Sequence, residues 1–67
     1  MIQKAQVKRI MKGVAIENNI GKDAVDVVCQ AAESYIVELT KRAATAAAHA
    51  GHKTIKASDV QLVLSFN

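Results

Sequence analysis

Between Gly21 and Gly51 the chain carries neither glycine nor proline. Across that interval apolar side chains return every third or fourth position: Val25, Val28, Ala32, Tyr35, Ile36, Leu39, Ala43, Ala46, Ala47 and Ala50. This period is that of one helix face, so residues 22–50 are predicted to form a single long helix. The alanine-rich run at 43–50 adds intrinsic propensity. Gly51 suits a left-handed C-terminal cap, and His49 in the last turn suits the negative end of the helix dipole. About 29 helical residues at 1.5 Å each extend roughly 44 Å, whereas a compact globule of this chain length would be only about 28 Å across. A stripe that long cannot be covered by the rest of one chain, so a partner copy is expected to cross it.

The flanks read as shorter helices. Upstream, Ile2, Ala5, Val7, Ile10, Met11, Val14 and Ala15 form a stripe that leaves Lys4, Lys8, Arg9 and Lys12 largely on other faces, and residues 17–21 end it. Downstream, Thr54-Ile55 reads as a short extended piece. Ala57, Val60, Leu62, Val63 and Leu64 then suit a final helix with Asp59 in its first turn. The expectation is an all-α chain of short, long and short helices in one domain over residues 1–67, without repeats, linkers or low-complexity segments. A chain of 67 residues buries only about 60% of its unfolded surface when it folds alone, so its own core would be marginal.

Charge is segregated along the chain. The formal net charge is +3, which favours an anionic partner. Residues 1–16 hold Lys4, Lys8, Arg9 and Lys12 with no acid, and residues 39–58 hold Lys41, Arg42, Lys53 and Lys56 with no acid. The middle carries Glu17, Asp23, Asp26, Glu33 and Glu38 against Lys22 alone. A solvated surface would account for scattered lysines, but not for two basic ends around an acidic middle. The basic loop after Gly51, wedged between two helices, is a candidate phosphate-contacting surface.

Other chemistry is poorly supported. His49 and His52 form an HxxH at a helix end, but no further ligand cluster lies nearby, so no metal is expected. Ser58, Asp59 and His52 include the residue types of a hydrolase triad, yet Ser58 and Asp59 are adjacent at a helix start and point in different directions. Without a nucleophile elbow or a phosphate loop, the chain is read as no enzyme and as needing no cofactor. A module acting purely through protein contacts of its alanine-rich helix is the remaining class. The lone Cys29 is read as a small, partly buried apolar residue, and Tyr35 and Ile36 as core candidates. A single cysteine, no apolar leader at the N-terminus and no run of about 20 apolar residues point to a reducing, cytoplasmic setting and no membrane.

The run AHAGHKTIKASDVQLVL (residues 48–64) and the segment VKRIMKGV (residues 7–14) resemble the second loop with third helix, and the first helix, of archaeal-type minimal histones. The resemblance covers essentially the whole chain. Histone-fold subunits of transcription factors, such as the CCAAT-binding complex and negative cofactor 2, share this skeleton, and RIMK resembles them too. What the resemblance implies is a histone fold forming a handshake dimer. Its interface would draw on Ile20, Val28, Ala32, Tyr35, Ile36, Leu39 and Ile55, with each first loop beside the partner's second loop. The implied function is architectural, with duplex DNA bent, wrapped and compacted at the nucleoid with little sequence preference. The alternative is one half of a heterodimer with a histone-fold paralogue, acting through protein contacts.

By position, Lys53 and Thr54 match second-loop residues that contact phosphate and sugar, and Arg9 matches a first-helix arginine facing DNA. Lys12 and Lys56 are suitable neighbours, and the amides at the start of the long helix, at Lys22 and Asp23, could hold a phosphate. Ala46, His49, Asp59 and Leu62 match a contact between dimers that would build a tetramer. Three positions depart from the family pattern. The first loop reads Asn18-Asn19 where an arginine usually enters the minor groove. His52 stands where an arginine commonly pairs with the third-helix aspartate, here Asp59. Ala46 stands where a larger apolar side chain is common, which weakens the contact between dimers.

Overall fold

The structure, a computed structural model, describes residues 2–66. Those residues form three helices and no strand: α1 (Lys4–Val14), α2 (Lys22–His49) and α3 (Ala57–Leu64). The predicted order of short, long and short is observed. Two compact units divide the chain, Met1–Ser34 and Tyr35–Asn67, and α2 contributes to both.

In the first unit α1 starts weakly. Gln3 is extended and offers no capping side chain, and the first turn contains no acid. The first backbone bond runs from the Val7 amide to the Gln3 carbonyl at 3.3 Å. At the other end the Ala15 amide donates to Met11 (2.8 Å) and the Asn18 amide to Ala15 (3.2 Å), turning the chain into the first loop. No residue of α1 is buried, although Val7 and Met11 are half-buried. The buried side chains of this unit are Val25 and Cys29 of α2. They lie four residues apart on one helix face. Cys29 therefore serves as a small core residue. An ion pair of 2.7 Å between Lys4 Nζ and Asp26 Oδ1 ties α1 to α2.

The second unit is built from the C-terminal half of α2, the second loop and α3. Its most buried side chains are Ala43 at 1% exposure and Ala47, joined by Val63 and Asp59 of α3. α2 ends one residue earlier than its apolar period suggests, because Ala50 serves as the cap. Gly51 takes a left-handed φ of 82°. The His52 amide reaches back to the Ala47 carbonyl (3.1 Å) and the Gly51 amide to Ala48 (3.1 Å). This is a complete Schellman closure, which satisfies carbonyls that the helix end would otherwise leave open. Thr54 lies in a bend rather than a strand.

α3 is fixed at its start by Asp59, whose Oδ2 accepts the Lys56 amide at 2.8 Å. Only this half of a capping box is chemically available, since the ammonium of Lys56 has no acceptor to return the bond. At its end the Ser65 hydroxyl donates to Leu62 at 2.7 Å.

One part of the expected core stays open. Tyr35 and Ile36 are about half exposed within the single chain. These two side chains are therefore not part of a core within the chain. Ile36 belongs to the same run of three- and four-residue spacings as Val25, Cys29, Ala43 and Ala47, yet it is 50% exposed.

The glycines give a direct test of local structure. Nothing lies within 4 Å of a Cβ built at Gly13 or Gly51, but only Gly51 has positive φ. Gly51→Ala should therefore cost about 1 kcal/mol of stability. Gly13→Ala, in helical and open surroundings, should add about 0.5 kcal/mol. Urea unfolding of the two variants checks the opposite signs.

Candidate nucleic-acid interface

The second loop is held by side chains that leave its cations outward. His52 is half-buried, and its Nδ1 lies 2.8 Å from the Thr54 carbonyl. A carbonyl only accepts, so Nδ1 is the donor in this bond. Nε2 lies 3.6 Å from Asp59 Oδ1, while the other Asp59 oxygen takes the Lys56 amide. The loop is thus pinned to the first turn of α3 near both of its ends. Lys53, Thr54 and Lys56 are all exposed, and neither lysine has an ion pair among the described residues. The proximity of His52 and Asp59 expected from sequence is observed. Asp59 itself is only 5% exposed, and its contacts are made within the chain.

In the first unit, Lys4, Lys8 and Lys12 follow one another at intervals of four along α1, so they share one face, with Arg9 beside them. Arg9, Lys12, Asn18, Asn19 and Lys22 are exposed. The first loop therefore presents amides where a guanidinium would carry charge. Lys4 differs from its neighbours because Asp26 neutralises it. Its hydrogen bond to Asp26, and then the charge of that carboxylate, raise the Lys4 amine above the ordinary lysine value of 10.5, against a smaller opposing effect of desolvation. A cleft of about 240 Å³ is lined by Lys4, Ala5, Lys8, Lys22, Val25 and Asp26. Sequence reading did not find it. Lys8 and Lys22 are far apart in the chain, and only the turn through the first loop brings them to one cleft.

Of the residues expected between protomers, Ile20, Ala32 and Leu39 are half-buried, while Val28, Tyr35, Ile36 and Ile55 are exposed. Ala46, His49 and Leu62, expected between dimers, line a shallow cleft of about 310 Å³ with Arg42, Thr45, Val63 and Phe66. Asp59 does not line it. Among the described residues no group of three or more His, Cys, Asp or Glu side chains converges as metal ligands would. No helix is long and apolar enough to cross a membrane.

A short, a long and a short helix, with a capped turn and a cationic loop before the third, define the histone-fold class. Residues 1–64 match the family described as histone-like transcription factor (CBF/NF-Y) and archaeal histone. The chain belongs to that family, which is one of histone-fold proteins rather than enzymes. It is 35% identical over 60 residues to an archaeal histone HAN1 subunit of Thermococcus zilligii, an overlap of 90% of this chain and 88% of that protein. It is 44% identical over 61 residues to DNA-binding protein HmvA of Methanocaldococcus jannaschii, covering 91% of this chain and 62% of that one.

The Lys4–Asp26 pair predicts a pH dependence. A lysine whose folded-state value is raised contributes stability that is complete below its unfolded value and is lost as pH rises through the folded value. The melting temperature should therefore show no Lys4-dependent change across neutral pH. Above about pH 10.5 it should fall more in the natural chain than in Lys4→Gln. Because Lys4 is exposed and Asp26 only half-buried, added salt should narrow that difference. Thermal melts at about 50 mM and about 500 mM salt provide the check.

Proposed function

We propose that this protein is an architectural DNA-binding histone that acts as a homodimer, bending duplex DNA through backbone contacts made by α1 and by each of the two loops. The observation that carries this reading is the second loop. His52 and Asp59 hold its backbone, while Lys53 and Lys56 remain exposed without ion pairs among the described residues. Lys53 and Thr54 contact phosphate and sugar, Arg9 faces the central DNA segment, and Lys12, Lys22, Lys56, Asn18 and Asn19 complete the contact face. None of these groups is arranged to read base edges, so affinity rests on backbone charge and on the ease of bending the duplex. The name of the Methanocaldococcus relative, a DNA-binding protein, supports the same reading.

In this proposal the second copy crosses α2 at Ala32, Tyr35, Ile36 and Leu39, with Val28, Ile20 and Ile55 at the margins, and the whole chain forms one histone-fold domain. The cleft at Ala46, His49 and Leu62 supplies a contact between dimers, whereas Asp59, bonded to the Lys56 amide, stays out of it. The small side chain of Ala46 makes that contact shallow, so tetramers form on DNA rather than free. The protein is then chromosome-associated. A second reading, in which the chain pairs with a different histone-fold protein, is favoured by the Thermococcus relative being named as one subunit of a histone. It predicts a stable dimer only on co-expression with that other chain.

Gel shifts on duplexes of increasing length and at several salt concentrations test the proposal. The purified chain alone should bind, with log affinity falling linearly in log salt. Lys53→Ala should reduce that slope by about 0.9 per chain, about 1.8 for the dimer, and to the same extent on unrelated sequences. Loss confined to one sequence would contradict the backbone reading.

A further inference from the structure

The cleft between α1 and the first turn of α2 contains more positive charge than its structural role requires. Of its lining groups, Lys4 and Asp26 cancel each other through their 2.7 Å ion pair. Ala5 and Val25 supply an apolar floor, and Val25 is buried. Lys8 and Lys22 remain, both exposed and both without a carboxylate partner among the described residues. Asp23, next to Lys22 in the same turn, is exposed and does not line the cleft. Two cationic side chains that line one small concavity and have no carboxylate partner of their own favour an anion seated between them. The volume of about 240 Å³ accommodates a phosphate group and its near neighbours, but not a large organic ligand.

We infer that Lys8 and Lys22 form a two-lysine clamp for a single DNA backbone phosphate, at the base of a first loop whose own side chains, Asn18 and Asn19, are uncharged. Lys4 is kept out of the clamp by Asp26, so the two charges offered to the ligand come from one residue on each helix. The clamp rests on the DNA-binding reading proposed above and adds to it a residue, Lys8, and a shared site. Gripping one phosphate from two helices also fixes the angle at which the backbone enters beside the first loop, which two independent surface lysines would not do.

The test is a double-mutant cycle on the full chain, with Lys8→Gln, Lys22→Gln and the double variant, in duplex titrations across salt. Lys8 and Lys22 are exposed, and circular dichroism with sedimentation confirms that fold and assembly are kept. Each single change should weaken binding severalfold. The double variant should lose less than the product of the two, and its salt slope should fall by about 1.8 per dimer, one phosphate for each of the two clamps. A fall of about 3.6 per dimer, meaning two independent contacts in each chain, or no fall at all, would overturn the clamp. Lys4→Gln combined with Asp26→Asn, which removes the pair without leaving a bare carboxylate in the cleft, should stay within about twofold of the natural chain, and a loss as large as that of Lys8→Gln would also overturn it. Lys53→Ala run in parallel separates the two proposals: if it lowers the slope while the Lys8 and Lys22 variants do not, only the clamp fails. If the natural chain binds no duplex, the broader reading fails. Sodium pyrophosphate perturbing the Lys8 and Lys22 side-chain resonances as strongly as duplex does would reassign the cleft to free phosphates.

Discussion

Burial along α2 is uneven in a way its sequence period is not. Val25 and Cys29 are buried in one unit, Ala43 and Ala47 in the other, and Ile36, on the same three-and-four spacing, is half exposed. Exposing a large apolar side chain forfeits roughly 1.5–3 kcal/mol relative to burying it, and here Tyr35 and Ile36 are adjacent. A second copy of α2 laid across this bare middle would complete the core. Everything proposed about function depends on that step, because the basic loops of one chain become a continuous track only when another chain supplies its own.

The buried residues suit this arrangement. Ala43 and Ala47 are small, so the buried face of the second unit adds little hydrophobic free energy of its own. The exposed Lys4–Asp26 pair adds little, and the other polar contacts are local: the Schellman closure at Gly51 and the Asp59 bond to the Lys56 amide. These fix where helices start and stop. They do not supply the area that a 67-residue chain needs to be stable alone. The local bonds set the shape of the loops, and the missing area creates the demand for a partner.

Most of the fold was legible in the sequence for a simple reason. Gly51 and the unbroken interval before it leave a helix few other places to end, and the three-and-four spacing names its buried face. Asp59 could be placed in a helix first turn because its carboxylate suits that position. The burial of Asp59 was not legible, since it depends on His52 and the loop folding back over it. Nor was the fate of Lys4. On paper it is one of four equivalent cations on α1, yet in space Asp26 neutralises it while Lys8, one turn on, stays unpaired. Spacing assigns residues to faces, but it does not say which opposite charge a neighbouring helix will bring, and the cleft between Lys8 and Lys22 is of that kind.

Measuring mass and unfolding together, across protein concentration, tests the central claim most directly. With a second copy covering the middle of α2, sedimentation gives a dimer of two 7.2 kDa chains, and the unfolding midpoint rises with protein concentration. A well-folded monomer of 7.2 kDa, with a midpoint independent of concentration, would contradict it.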